Sequence, residues 1–334
     1  MSGIGAAANY TSSLTYNTRL YGSFKQEVER AVATPESFAI FKSTSFPRIH
    51  LTFFQQTDAP TFGTRFIDCL AAGSPHLLRA LPELARADVS IGSPTVVRTY
   101  QLPPPLSTSV TSSPLMVRYI MELALLEKLF PSVFSEPGSV LLEIGGGFGG
   151  FATVVSHIHR KLGQYLIVDL DVVGQLQRMY VKRVESALCS VHNRTATRKT
   201  NTRTTPSTSA SLPLKTISSE QPLADVRSDL LFSFFSISEQ LSHVADAYIN
   251  HYVRHAKRGY LQLNFDEGEC GASTRQAKNV NRHSAWDLFR HVYRVQPSAI
   301  LLPPPPCGAA SSTSQGGHRI VWGLEETRRS WHFF

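Results

Sequence analysis

Apolar residues change their spacing along this chain, and the change divides it. From about residue 21 to 90 they recur at helical intervals, as in Phe24, Val28, Ala31 and Val32. Thr34-Pro35 and Ser74-Pro75 each place a capping residue before a proline at the first helical position. Val96–Tyr100 reads as a short strand, stopped by Pro103-Pro104-Pro105. Ser113-Pro114 opens a helix to about Phe130 that is apolar on most sides, so it should be buried. From residue 139 onward, continuous apolar runs alternate with helical stripes. The runs are Val140–Ile144, Tyr165–Leu170, Leu230–Phe235, Tyr260–Phe265, Val295–Leu302 and Arg319–Gly323. The stripes include Phe151, Val154, Val155 and Ile158, with Gly163 as the stop, and Leu241, Val244, Ala245, Tyr248, Ile249 and Tyr252. Buried strands alternating with helices predict an α/β fold with a parallel sheet covered on both faces. The division expected is a flexible 1–20, a mainly helical cap region at 21–112 and an α/β domain at 113–334.

The first strand of that domain leads into Glu143-Ile-Gly145-Gly146-Gly147-Phe-Gly149-Gly150, five glycines within six residues. Glycines let the backbone turn sharply and approach a ligand with no Cβ in the way. A helix follows, and then a second strand ending in Asp169. Strand, glycine turn, helix and acid-terminated strand are the first half of a Rossmann-like nucleotide-binding unit. The spacing leaves two cofactors open. Gly145-x-Gly147-x-x-Gly150 satisfies the dinucleotide fingerprint, with Asp169 at the ribose position. The same residues read as Glu143-x-Gly145-x-Gly147-x-Gly149, which looks like motif I of the class I S-adenosyl-L-methionine (SAM) methyltransferases. By that resemblance Glu143 serves the methionine amino group and Asp169 the ribose hydroxyls. Glu143 favours SAM, because a nicotinamide site has no ammonium there. The structural alternative for Glu143 is a strand-end carboxylate held by backbone N–H groups.

Composition narrows the setting. Four cysteines, Cys69, Cys189, Cys270 and Cys307, lie far apart without a CxxC pair, which argues against zinc or a disulfide framework and for a reducing, cytoplasmic compartment. No apolar run approaches the roughly 18 residues of a membrane span. The first 26 residues lack acids and are rich in Ser and Thr, a faint likeness to an organelle transit peptide. The net charge of +8 is local: residues 178–203 supply +6 of it. Residues 189–211 hold 11 Ser or Thr among 23 and no apolar periodicity, so a flexible, disordered basic insertion is expected there.

Ligands of open α/β sheets bind beyond the carboxyl ends of the strands, which nominates the loops after residues 144, 169, 235 and 265. Methyl transfer to a hydroxyl needs a group that removes its proton. Glu239, His243, Asp266, Glu267 and Glu269 are placed for that. Ser236-x-x-Glu239 also has the form of a capping box for the helical face that follows. His243 lies one turn beyond Glu239, so the two could point the same way. The acids of the 266–269 loop could bind a divalent cation, but loop acids are ordinarily solvated, and no metal is expected.

Leu141–Gly150, Tyr165–Leu170, Asp229-Leu-Leu-Phe-Ser-Phe-Phe-Ser-Ile-Ser-Glu239 and Gly259-Tyr-Leu-Gln-Leu-Asn264 occur in this order. Together they resemble the sugar O-methyltransferase family, over about residues 113–325. The chain departs from it with Leu170-Asp171-Val172 where Leu-Pro-Glu is usual, and with Gln240 where Met follows Ser-Glu. The resemblance implies a class I methyltransferase fold with a mostly parallel seven-stranded sheet flanked by helices. It implies SAM held by Glu143, Gly145, Gly146, Gly147, Gly149, Asp169, Leu170 and Ser236. Glu239, with His243 or Asp266, would bind the acceptor and supply the base, and the acceptor would be a small-molecule or glycan hydroxyl. Two other readings follow from the same residues: an RNA-modifying methyltransferase with the basic run as an arm, and a non-catalytic binding module.

Overall fold

Proline opens the helices after Thr34, Ser74 and Ser113, as expected; Thr34 and Ser113 make side-chain caps, and Ser74 makes none. In the computed structural model, which describes residues 18–43, 60–199, 212–221, 223–263, 285–302 and 318–325, α1 is Thr18–Ala33 and α2 is Pro35–Ala39. Thr34 Oγ1 accepts from the Ser37 N–H at 3.1 Å, satisfying one of the free donors of the first turn of α2. Next come α3 (Pro60–Gly73), α4 (Pro75–Val89) and an antiparallel pair, β1 (Arg98–Gln101) and β2 (Ser109–Ser112). α5 (Pro114–Leu129) has the same opening, Ser113 Oγ accepting from the Met116 N–H at 3.2 Å, and α6 (Pro131–Ser135) follows.

The α/β half then runs β3 (Val140–Ile144), α7 (Gly150–Ile158), β4 (Gln164–Asp169), α8 (Asp171–Lys199), β5 (Leu214–Ser218) and β6 (Leu230–Phe234). It continues through α9 (Ser242–His251), β7 (Gly259–Gln262), α10 (Ala285–Val295), β8 (Ile300–Leu302) and β9 (Arg319–Trp322). The strands form one seven-stranded sheet in the order β5-β4-β3-β6-β7-β9-β8. All pairs from β5 to β7 are parallel, and β9 is antiparallel to both of its neighbours. The sheet class, its flanking helices and the N-terminal helices are therefore as expected. The order reverses at β3, whose neighbours are β4 and β6, so the glycine turn opens at the switch point.

Alternation along β3 decides which layer each residue enters. Leu141 joins Tyr165, Phe232 and the helices α3, α4, α5 and α7 on one face. Leu142 and Ile144 join α9 and α10 on the other. Residues of α1, α2 and the segment after α2 pack on α8 in a third cluster with Phe148 of the glycine turn. The N-terminal helices thus share their core with the sheet. Among the described residues no helix is long and apolar enough to cross a membrane.

Three local expectations need correction. α7 ends at Ile158 with His159 as its cap; Gly163 instead lies against Gly138, where a Cβ would overlap a backbone carbonyl. The helix after Asp169 continues through Lys199, so residues 189–199 of the expected insertion are helical; 200–211 lie outside the described residues. Propensity is mixed there, with only Arg194, Ala196, Arg198 and Lys199 good helix formers, but the stretch continues a helix already anchored by Leu176, Tyr180, Val184 and Leu188 and so needs no new nucleus. β5 was unforeseen, because Leu214-Lys-Thr-Ile-Ser218 alternates on a sheet edge and shows no continuous apolar run.

Candidate active site at the glycine turn

The turn is shaped by left-handed glycines. Gly145, Gly147 and Gly149 have φ of 77°, 54° and 90°, a region that side chains rarely adopt. A Cβ on Gly145 would overlap the Ser236 side chain, so Gly145 is also the point where the turn meets the loop after β6. The Gly149 N–H donates to the Gly146 carbonyl at 2.9 Å, and Gly149 then caps α7.

Both predicted acids reach this turn. Glu143 lies beneath it, 2% exposed, and accepts a hydrogen bond from the Tyr165 hydroxyl at 2.7 Å. Burial pushes its carboxyl up to about 8; the Tyr165 bond opposes that, and Asp169 and Glu122 add to it. Its Oε2 would lie 3.0 Å from a Cβ on Gly146. Asp169 stands half-buried at the end of β4. Its Oδ1 accepts from the Leu170 N–H and its Oδ2 from the Gln177 side-chain amide, each at 2.9 Å. Burial pushes this carboxyl up to about 7 against those bonds and one from the Gly146 N–H; the open part of its surface weakens the push.

Gln177 was not foreseen. Its amide also donates to the Gly147 carbonyl at 3.0 Å, so one side chain of α8 fastens the acid of β4 to the turn after β3. The readable signal was a polar residue on the buried stripe of Val173, Leu176 and Tyr180.

The loop after β6 departs from its expected form. Ser236–Glu239 is a separate 3₁₀ turn, and α9 begins at Ser242 with Leu241 at its N-cap and no side-chain cap. Ser236 and Glu239 therefore do not form a capping box for α9. Gln240 is extended between the two elements, so Glu239 and His243 do not share a helix face; His243 is exposed in the first turn of α9. Ser233 fixes the loop instead: its hydroxyl donates to the Ile144 carbonyl at 3.1 Å and accepts from the Ile237 N–H at 3.2 Å. Gln240, at the position where the sequence departs from the pattern it resembles, donates to the Ser236 carbonyl at 3.0 Å. Phe235 carries φ of 71°, a strained backbone for an aromatic residue. The Arg118 guanidinium of α5 lies 5.0 Å from its ring centroid and pairs with Glu122 at 2.8 Å. Leu170 is buried behind Asp169, whereas Ser236 is half-buried at the rim with Gly145 and Gly147. Asp266, Glu267 and Glu269 lie outside the described residues. No group of three or more His, Cys, Asp or Glu suited to a metal occurs among the described residues.

No family model and no curated protein matches the sequence. Several solved structures similar to the chain are methyltransferases by name, and others are not, among them the [4+2]-cyclase SpnF, 14% identical over 69% of this chain and 72% of that one, with a TM-score of 0.36. Magnesium protoporphyrin IX methyltransferase (ChlM) from Synechocystis PCC 6803 with bound SAH is 13% identical, over 57% of this chain and 75% of that one, with a TM-score of 0.35. An O-methyltransferase family protein from Burkholderia thailandensis is 11% identical over 80% and 72%, with a TM-score of 0.37. The CurJ carbon methyltransferase is 11% identical over 93% and 68%, with a TM-score of 0.35.

Proposed function

We propose that the protein is a SAM-dependent O-methyltransferase acting on a hydroxyl of a sugar or glycoconjugate. The observation that carries the cofactor half is a glycine turn at the switch point with an acid directly beneath it and a second acid beside it. A pyrophosphate on this turn would gain no charge partner from Glu143, whose raised carboxyl an ammonium would instead draw into its ionised form. A ligand with an ammonium, a ribose diol and no phosphate suits the same surface. The antiparallel β9 between β7 and β8 also separates this sheet from the all-parallel order of dinucleotide folds.

The residues present fit that cofactor. Gly145, Gly146 and Gly147 leave the room a backbone approach requires. Beyond its bonds to Leu170, Gln177 and Gly146, Asp169 keeps one lone-pair site for a ribose hydroxyl. Glu143 would receive the amino group. When bound, SAM supplies a methyl group on a sulfonium, an electrophile that needs no activation by the protein. The protein's part is to hold the acceptor oxygen in line and to take its proton. Glu239, in the 3₁₀ turn that follows β6, is assigned the proton, and His243 and Asp266 are the alternatives. The sugar assignment rests on the resemblance over residues 113–325.

Incubation with methyl-labelled SAM and fractionated extract tests this reading; label is expected in a glycan or small-molecule fraction. Label in RNA, or none in any fraction, would replace it. Once an acceptor is known, Glu239→Gln should keep SAM affinity and lower turnover by about 10²–10⁴, the range for a general base. Near-normal turnover would transfer the role to His243 or Asp266.

A further inference from the structure

Lys42, just beyond α2, is fully buried. Its three donor protons are all engaged: Nζ lies 2.6 Å from Asp88 Oδ1, 3.1 Å from the Asp88 carbonyl and 3.2 Å from the Tyr180 hydroxyl. Asp88 is as buried as its partner and accepts from the Tyr180 and Ser113 hydroxyls at 2.7 Å and 2.6 Å. Burial pushes the amine's pKa down, and Asp88 opposes that. A pair this deep is an expensive way to hold a fold, because two apolar side chains of the same volume would do as well or better. What apolar residues would not supply is a directed cation.

That cation faces the glycine turn. Nζ lies 4.8 Å from the centroid of the Phe148 ring and 4.4 Å from that of Tyr180. Phe148 is the one side chain between Gly147 and Gly149, and its ring meets Phe41, Tyr119 and Tyr180 edge-on at 5.7, 6.3 and 4.8 Å. Tyr180 lies one helical turn from Gln177, which holds the Gly147 carbonyl and Asp169. Glycines on both sides leave the turn free to take other conformations, so the Phe148 ring is one of its anchors, beside the Gln177 bond to the Gly147 carbonyl.

We infer that Lys42 is a positioning residue for the glycine turn, acting through the Phe148 ring, and that the segment after α2 is thereby part of the cofactor site. The turn's geometry rests on Lys42 whatever ligand it holds; the effect on SAM rests in addition on the proposed cofactor.

Lys42→Met alone would leave Asp88 charged and buried, so the test uses Lys42→Met with Asp88→Asn, alongside Phe148→Leu and the combination of all three. Hydrogen exchange is followed in the 145–151 amides without added cofactor, with the amides of β6 and β7 as the internal reference. Loss of the cation is expected to speed exchange in the turn about thirtyfold while β6 and β7 keep wild-type protection, the scale of one desolvated cation–π contact. In the Phe148→Leu background the same pair of substitutions should add almost nothing. SAM affinity by calorimetry should fall by a similar factor. Unchanged exchange in the turn, or an equal effect with Phe148 absent, overturns the inference while leaving SAM binding to wild type intact. A wild type that binds no SAM, with exchange altered as stated, overturns the cofactor reading and supports the role of Lys42.

Discussion

Glu143 combines a strand-end position with nearly complete burial, and that combination makes its charge depend on pH. Its carboxyl is raised from 4.5 to about 8, chiefly by burial. The folded state therefore holds a proton that the unfolded chain releases above the ordinary carboxylate range. The stabilisation is complete below about 4.5 and is lost as pH rises through about 8. Between those values the wild type should lose a few kcal/mol relative to Glu143→Gln, which has no proton to lose. Denaturant unfolding of both proteins at pH 5 and pH 8 checks it; parallel profiles would mean Glu143 is ionised in the fold. An ammonium beside Glu143 favours the ionised form, so SAM binding near pH 7 should release a proton, visible as buffer-dependent binding heat. Gln177 gives a second residue-scale prediction. Gln177→Leu keeps the volume and removes both bonds, so SAM should bind about 1–3 kcal/mol more weakly, the scale of a hydrogen bond to a charged group. Asp169→Ala should weaken binding by a similar amount without unfolding the protein.

At the scale of elements, the turn between β3 and α7 and the loop after β6 form one unit. Gly145 abuts Ser236, and Ser233 bonds both the end of β3 and the 3₁₀ turn. Gly145→Ala has no room at Ser236 and must also adopt positive φ. It should cost more than the roughly 1–3 kcal/mol of backbone strain alone, and displace Ser236 as well. A melting temperature within a degree of wild type would mean that the two loops move independently. The unit was only half legible in sequence. Glycine spacing announces a turn wherever it occurs. Ser236-x-x-Glu239, by contrast, has the same form whether it caps a helix or makes a turn of its own, and packing of Ile237 against the sheet decided that.

Across the whole molecule, the N-terminal helices are joined to the site by packing. Val28, Ala31, Phe38 and Phe41 are buried with Leu170, Val173, Leu176 and Tyr180, which lie at the end of β4 and along α8. At about 1.5–3 kcal/mol for each large apolar side chain, their loss would consume much of a typical stability of 5–15 kcal/mol. Removing residues 1–43 should therefore shift the denaturant midpoint sharply downward and abolish SAM binding together with it. A truncated chain that unfolds at the wild-type midpoint would show that α1 and α2 are an appendage.

Local pattern determined the parts of this protein that local physics governs. Apolar runs and stripes placed six of the seven sheet strands and the helices between them. Five glycines placed the turn, and the acid after β4 was visible as the end of a strand. Edge strand β5, the cage of Lys42, Asp88, Tyr180 and Phe148, and the grip of Gln177 on the turn came only with the tertiary structure. Each joins residues far apart in the chain. The stripe position of Gln177 announces burial but no partner, while Lys42 and Asp88 carry side chains that sequence alone would assign to the surface. They are buried because their partners arrive from other elements and satisfy every donor of Lys42 and both carboxylate oxygens of Asp88. Most polar groups enter a core with partners of this kind, although Gln177 Oε1 has none among the described residues, and no spacing rule reports whether the partners are present.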